Sequence, residues 1–352
     1  MALIRLSSPH VSKANSTANV MRLVLIATLP GILAMTFFFG WGTLIQIALA
    51  CSLALAFEAA ALKLRKRPLG FFLSDGSALV TAILLAVAIP PFSAWWVTAT
   101  GIFFAIVIAK HLYGGLGNNP FNPAMVAYAL LLVSFPVEMT RWTSPMTQHG
   151  GGWEIAGFID TLQAIFGSVD AVFYDSFTGA TPLDVLKHRG GLTTEELWRQ
   201  SDVLSSGVGA WYAVSAAWFM GGIFLLSRKI FTWHAPLSML IALFLTASAF
   251  YGFDPDNYVN PVVHLSVGAT MLGAFFIATD PVTSATSNKG KMVFGALLGV
   301  LIYVIRTWGN YPDAVAFAVL LMNLCAPFID QYTQPRSFGH TRANRGMKGK
   351  NQ

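Results

Sequence analysis

Residues Gly117-Asn118-Asn119-Pro120-Phe121-Asn122-Pro123-Ala124-Met125-Val126-Ala127-Tyr128 have a counterpart in Gly309-Asn310-Tyr311-Pro312-Asp313-Ala314-Val315-Ala316-Phe317. Pro123 pairs with Pro312, and Val126-Ala127 with Val315-Ala316. Upstream, Pro91 pairs with Pro281 at nearly the same spacing. Two matches in the same order indicate a duplication. Each half carries five apolar runs, and five is odd, so the second copy must enter a membrane upside down relative to the first. That is an inverted-topology repeat, which places binding sites near the midplane between the copies.

Composition sets the class. Hydrophobic residues make up 55% of the 352 positions and charged residues 11%, which argues for an all-α integral membrane protein over a soluble domain. A span needs about 20 mainly apolar residues to cross about 30 Å of hydrocarbon. Ten spans are expected near 21–39, 42–62, 77–90, 94–109, 122–135, 209–227, 235–252, 262–279, 292–308 and 313–329. The organisation is then a membrane repeat over 1–135, an extramembrane segment over 136–208, a second repeat over 209–330 and a basic tail over 331–352. The third span, Ser77 to Pro90, covers only about 20 Å as a helix. Asp75-Gly76, Pro90-Pro91 and Asn119-Pro120 interrupt the backbone there, and such breaks persist at membrane depth only against protein or water-filled cavities. The alternative is ordinary spans ended by turn residues.

Basic residues orient the chain. With the N-terminus inside, 17 of the 22 Lys and Arg fall on the cytoplasmic side, including Lys63-Leu64-Arg65-Lys66-Arg67; only Arg141, Lys187, Arg189, Arg199 and Arg306 fall outside. The positive-inside bias therefore puts both termini in the cytoplasm and 136–208 outside. The net charge of +6 lies on flanks that face anionic membrane lipid, a distribution that argues against nucleic acid as a partner. Residues 1–20 are polar and lead into a full-length span, so no secretory leader is expected. Cys51 and Cys325 fall within spans and read as buried structural thiols, with a cluster shared with partner subunits as the alternative.

The segment 136–208 is rich in acids and broken by Gly150-Gly151-Gly152, Gly167, Gly179 and Gly190-Gly191. Phe158, Ile159, Leu162, Ile165 and Phe166 recur at helical spacing and suggest one amphipathic helix at the interface. So short a stretch cannot build a large core, and docking on helix ends or on a partner subunit is expected. It also contains Asp175-Ser176-Phe177-Thr178-Gly179-Ala180-Thr181-Pro182. Small residues before Thr181 leave room around its hydroxyl for an enzyme and a bulky phosphate ester, and Pro182 disfavours helix at Thr181 itself. A structural reading stands beside this: Thr181 as N-cap, Pro182 as first helical residue and Asp184 in the first turn.

The heptapeptide resembles the Asp-x-x-Ser/Thr-Gly-Ala-Thr site of flavin transferase substrates. Together with Gly114-Gly115-Leu116-Gly117 and Pro120-Phe121-Asn122-Pro123-Ala124, it makes the chain similar to the RnfD family, membrane subunits of the Rnf ion-translocating electron transport complex. That family is itself similar to the NqrB component of the sodium-translocating NADH:quinone oxidoreductase. The resemblance runs from Ser7-Ser8-Pro9-His10 to the tenth span. It implies a bacterial inner-membrane subunit carrying FMN covalently on Thr181, with Asp175, Thr178, Gly179 and Ala180 recognised by the transferase. It also implies a riboflavin-type flavin held non-covalently, other Rnf-type subunits that bring and remove electrons, and translocation of Na+ or H+. Asn119 and Asn122 are candidates to hold the second flavin, against an equally open reading as N-caps of the fifth span.

Among other ionisable residues in or near spans, Glu58 reads as a side chain reaching toward the basic loop. Asp75, Asp280 and Asp313 adjoin helix starts and read first as caps, with a cation path as the alternative for Asp75 and Asp280. His264 reads as a neutral core histidine, and Trp41, Trp95, Trp96, Trp211 and Trp308 as interfacial belts. The rival to a redox subunit is an inverted-repeat transporter or channel without redox role; the motif at 175–181 separates the two. Reporter fusions after residues 66 and 345 are expected to report the cytoplasm, and one near residue 150 the periplasm. Residues 63–67 found outside would overturn the arrangement.

Overall fold

The computed structural model describes residues 16–145, 156–167, 176–311 and 313–335; Asp175, Gly150-Gly151-Gly152, Pro312 and the tail beyond 335 lie outside them. Ser16 opens α1 (Thr17–Phe39) by accepting from Asn19 N, and Gly40, at φ 84°, ends it. Then follow α2 (Gly42–Leu64), a short α3 (Leu69–Leu73), α4 (Ser77–Ala86), and α5 (Trp95–Phe103), which continues as a π-helical stretch to His111. Asn122 starts α6 (Pro123–Ser134), with Pro123 at its first position, and α7 (Pro136–Thr140) closes this half.

Between the halves lie strand β1 (Trp142–Thr143), α8 (Phe158–Phe166), strand β2 (Thr178–Gly179), α9 (Pro182–Lys187) and α10 (Thr194–Gln200). The second half comprises α11 (Val208–Ser227), α12 (His234–Phe253), α13 (Pro261–Ser266), α14 (Thr270–Leu272) running on to Ile277, α15 (Asn288–Trp308) and α16 (Val315–Tyr332). Among the described residues, six helices are long and apolar enough to cross a membrane, and three apolar helices are shorter: Ser77–Ala86, Trp95–His111 and Pro123–Ser134. The third and fifth stretches, expected to be too short for a regular crossing, are indeed short apolar helices. The eighth, expected as one run, is broken between Ser266 and Thr270, with Gly268 at φ 72°.

Small residues set the packing, as in lipid, where close helix approach replaces the hydrophobic effect. A Cβ on Gly299 would collide with Met239 O and one on Gly295 with Ala235 O, so α15 lies backbone to backbone on α12. Between the halves, α1 packs on α11: a Cβ on Gly31 would fall inside the Trp218 indole. The amphipathic α8 buries Thr161, Ala164 and Ile165, and Phe158 meets Trp41 edge-on at 5.7 Å. Leu183, Leu186, Leu197 and Leu204 pack with Val263 and Val267, docking the extramembrane segment on helix ends of the second half.

Two sequence expectations, on Glu58 and Cys325, are corrected. Glu58 does not reach toward the basic loop: it is 2% exposed and holds Lys110 Nζ with both oxygens at 2.9 Å, while Lys110 also donates to Ser77 Oγ at 2.8 Å. The N-terminus of α4 is thereby tied to the end of the fourth span. Arg306, one of the five basic residues the charge pattern places outside, is 5% exposed and donates to His264 O (2.7 Å), Thr270 Oγ1 (2.9 Å) and Val267 O (3.4 Å) across the break between Ser266 and Thr270. Cys51 is half-buried but Cys325 is exposed on α16, so only one thiol is shielded. Asp75 does cap α4, accepting from Ser77 N at 2.7 Å, and His264 is buried.

Removing one partner of a buried ion pair strands the other charge at a cost of about 3–5 kcal/mol. Glu58→Leu is therefore expected to lower the thermal unfolding midpoint in detergent sharply, and Glu58→Leu/Lys110→Met to recover most of the loss. A single variant as stable as wild type would contradict the pairing.

Candidate functional site

Two cavities are lined by residues of both halves. One, of about 380 Å³, is lined by Ser77, Lys110, Asn119, Asn122, Phe276 and Asp280 among others. The other, about 100 Å³, is lined by Tyr128, Trp142, Thr181, Trp211, Trp218 and Asp313 with apolar neighbours. The helix α6 joins them: Asn122 at its start borders the larger cavity, and Tyr128 borders the smaller.

The Thr181 pocket is built from the strand pair upward. Trp142 pairs with Gly179 and Thr143 with Thr178, and Ser144 N donates to Phe177 O at 2.9 Å. This antiparallel ladder brings residues 177–179 against the strand that follows the first half. A Cβ on Gly179 would lie 2.6 Å from Ser144 Oγ, so a larger residue there would require the serine hydroxyl to turn away. Ala180 is exposed, and Thr178 and Thr181 are half-buried. Thr181 has extended backbone and its Oγ1 accepts from Asp184 N at 3.2 Å, the capping arrangement expected of Thr-Pro-x-Asp. Capping uses a lone pair and leaves the hydroxyl hydrogen, the one an ester would replace. Lys187, at the end of α9, donates to Arg306 O at 2.9 Å and so caps α15. Burial pushes its amine below the ordinary value, with the Asp184 carboxylate opposing. Asp175 lies outside the described residues.

Aromatic rings wall this pocket. Phe39 and Trp211 meet at 4.9 Å and Trp142 and Trp211 at 5.8 Å. Trp211, expected in an interfacial belt, instead lines the pocket, and its Nε1 is buried without a hydrogen-bond partner. Trp41, Trp95, Trp96 and Trp308 are exposed, as a belt requires. Tyr128 and Asp313 face each other across the halves, the phenol donating to Asp313 Oδ2 at 3.3 Å.

In the larger cavity, Asn119 and Asn122 come together but do different things. The Asn122 Oδ1 accepts from Ala124 N (3.1 Å) and Met125 N (3.3 Å), so it caps α6, and its Nδ2 reaches Asp280 Oδ2 at 3.4 Å. Asn119 does not cap α6. Its Nδ2 donates to Phe121 O at 3.0 Å, and its Oδ1 is buried without a partner. Buried amide oxygens are nearly always paired, so this one is an exception within the cavity lining. Asp280 accepts from Val282 N (3.1 Å) and Thr283 Oγ1 (3.0 Å) in a turn; no helix starts there, so it is not the cap expected from the sequence. Asn323 on α16, with its amide turned to satisfy both ends, accepts from Asn122 N at 3.0 Å; nothing local in the sequence marks it. No group of three or more His, Cys, Asp or Glu side chains suited to a metal occurs among the described residues.

The family described as NQR2, RnfD, RnfE matches residues 4–339. Similar proteins extend over nearly the whole chain. In Pseudomonas aeruginosa (strain UCBPP-PA14), the subunit designated D of the ion-translocating oxidoreductase complex is 55% identical over 352 residues, covering 99% of each chain. The proteins of the same name from Cellvibrio japonicus and Aliivibrio salmonicida are 52% identical (98% of this chain, 97% of that one) and 50% identical (97% and 100%).

Because Asn122 caps and Asn119 does not, Asn122→Ala is expected to destabilise by about 1 kcal/mol and Asn119→Ala to leave the unfolding midpoint within a degree or two. Equal losses in a thermal melt would contradict the division of roles.

Proposed function

We propose a function from the premise that the chain belongs to the NQR2, RnfD, RnfE family. It is a membrane subunit of an ion-translocating oxidoreductase complex, hence a translocase subunit, as its relatives' names describe them. Its own part is to hold two flavins at the junction of its halves. FMN is esterified to Thr181 by a flavin transferase that reads Asp175, Thr178, Gly179 and Ala180. A second, non-covalent riboflavin-type flavin sits against Asn119 in the larger cavity.

One observation carries this reading: the Thr181 hydroxyl lies at an aromatic pocket that the adjoining strand pair helps to build. The residues fit the group. Thr181 is half-buried, preceded by an exposed alanine and set in extended backbone, so an enzyme can reach it and a phosphate can project from it. Trp142 and Trp211 offer faces for a planar ring. A bound flavin supplies electron transfer in single steps, while the protein fixes its place and the groups around it. The larger cavity fits through the unpaired Asn119 oxygen.

The halves form an inverted repeat in this proposal. In each, a buried basic residue from the fourth helix of the half secures the interrupted third: Lys110 at Ser77 and Arg306 at Thr270. The membrane is the bacterial inner membrane, with the face bearing Lys63–Arg67 cytoplasmic and Thr181 periplasmic. Na+ or H+ is the translocated ion. Other Rnf-type subunits deliver and remove electrons, so the chain alone is not expected to turn over a soluble substrate. A transporter without redox role accounts for the spans but leaves the aromatic pocket at Thr181 without purpose.

Protein produced with a flavin transferase is expected to keep yellow fluorescence through denaturing electrophoresis, and Thr181→Ala to lose it. Thr178→Ser is expected to retain it. Asn119→Ala should lower extractable riboflavin several-fold with the covalent flavin unchanged. Wild-type protein with no covalent flavin would end the redox reading of Thr181.

A further inference from the structure

The Thr181 pocket holds more than an attachment point. Two residues that line it each carry a buried polar atom without a proper partner. Trp211 Nε1 is buried with no hydrogen bond, and Asp313 Oδ1 makes none of normal geometry, although the Val315 amide is near. Both residues are fixed in place. Trp211 is wedged between Phe39 and Trp142, and Asp313 is tied through Oδ2 to Tyr128. Buried donors and acceptors are nearly always paired, so an unpaired donor and an unpaired acceptor in one pocket describe a missing ligand with the complementary set.

We propose that Trp211 and Asp313 read the pyrimidine edge of the threonine-linked flavin. This rests on the assignment of FMN to Thr181. That edge presents two carbonyl oxygens flanking an imide N–H. The Trp211 indole N–H donates to one carbonyl, and the imide N–H donates to Asp313 Oδ1. The pocket, about 100 Å³, takes one end of a tricyclic ring rather than the whole. The opposite, dimethylbenzene end would fill the same space against Met35, Leu132 and Val214 but would leave both polar atoms unpaired. Trp211 and Asp313 come from the second half, Tyr128 from the first and Trp142 from the strand between them, so the pocket that would hold the ring is closed across the junction. They are positioning residues here; Thr181 alone forms the covalent bond.

The test is the midpoint potential and visible circular dichroism of the covalent flavin in the intact complex, with ester content measured separately by in-gel fluorescence. Trp211→Phe keeps the aromatic wall but removes a donor to a carbonyl that gains negative charge on reduction. It is expected to lower the potential and weaken the flavin dichroism about two-fold at unchanged ester content. Asp313→Asn removes an acidic group from beside the same edge and is expected to raise the potential. Unchanged spectra and potentials in both variants, or shifts of the same sign, would overturn the proposal. Loss of the ester in Trp211→Phe would also overturn it, by assigning Trp211 to the acceptor's fold instead of the ring. A wild-type complex lacking the ester would remove the Thr181 reading and this one together.

Discussion

A helix that stops inside hydrocarbon leaves backbone amides or carbonyls with no water to bond, and each such end must be satisfied by protein. Three helices in this chain stop or break where a full span would continue: α4, α6 and the α13–α14 segment. Each end has its own solution. Asp75 and Ser77 close α4, and Lys110 with Glu58 holds them. Asn122 closes α6. Arg306 satisfies the carbonyls of His264 and Val267. Buried cations are costly in a membrane and persist where they are paired or meet carbonyls. The two cavities exist because these helices do not fill the space between α1, α11 and their neighbours.

Much of this was legible in the sequence, for local reasons. Hydropathy marked the spans. Asp75-Gly76 and Asn122-Pro123 marked the short helices, because Gly, Asn and Pro set backbone geometry by themselves. Thr181-Pro182-Leu183-Asp184 announced its own cap. The rest depended on partners distant in the chain. Glu58 and Lys110 lie 52 residues apart, and nothing near either names the other. The break at Gly268 carries no proline, and its stabiliser Arg306 sits on another helix, 36 residues from Thr270. Trp211 looked like a belt residue because it begins a span; only the packing of Phe39 and Trp142 turns it inward. Sequence also could not divide Asn119 from Asn122, since both precede a proline. Their roles separate only when the cap is seen to use one of them.

The division of labour in the site follows the same physics. Groups that a helix end needs, such as the Asn122 oxygen and the Thr181 lone pair, are already engaged. Two residues of the cavity linings, Asn119 and Trp211, each keep a buried polar atom that no protein group pairs. Thr181 would belong to both sets in the proposed reading, because capping and esterification would use different parts of one hydroxyl. The central claim is that the halves of this chain hold one flavin at each cavity, joined by the span of α6. The most direct measurement is a density map of the assembled complex, matured with its transferase, at a resolution that shows ring planes. The expected result is planar density continuous with Thr181 Oγ1 and lying against Trp211, with a second, unattached ring beside Asn119. Density continuous with another hydroxyl, or two cavities containing only lipid and water, would contradict it.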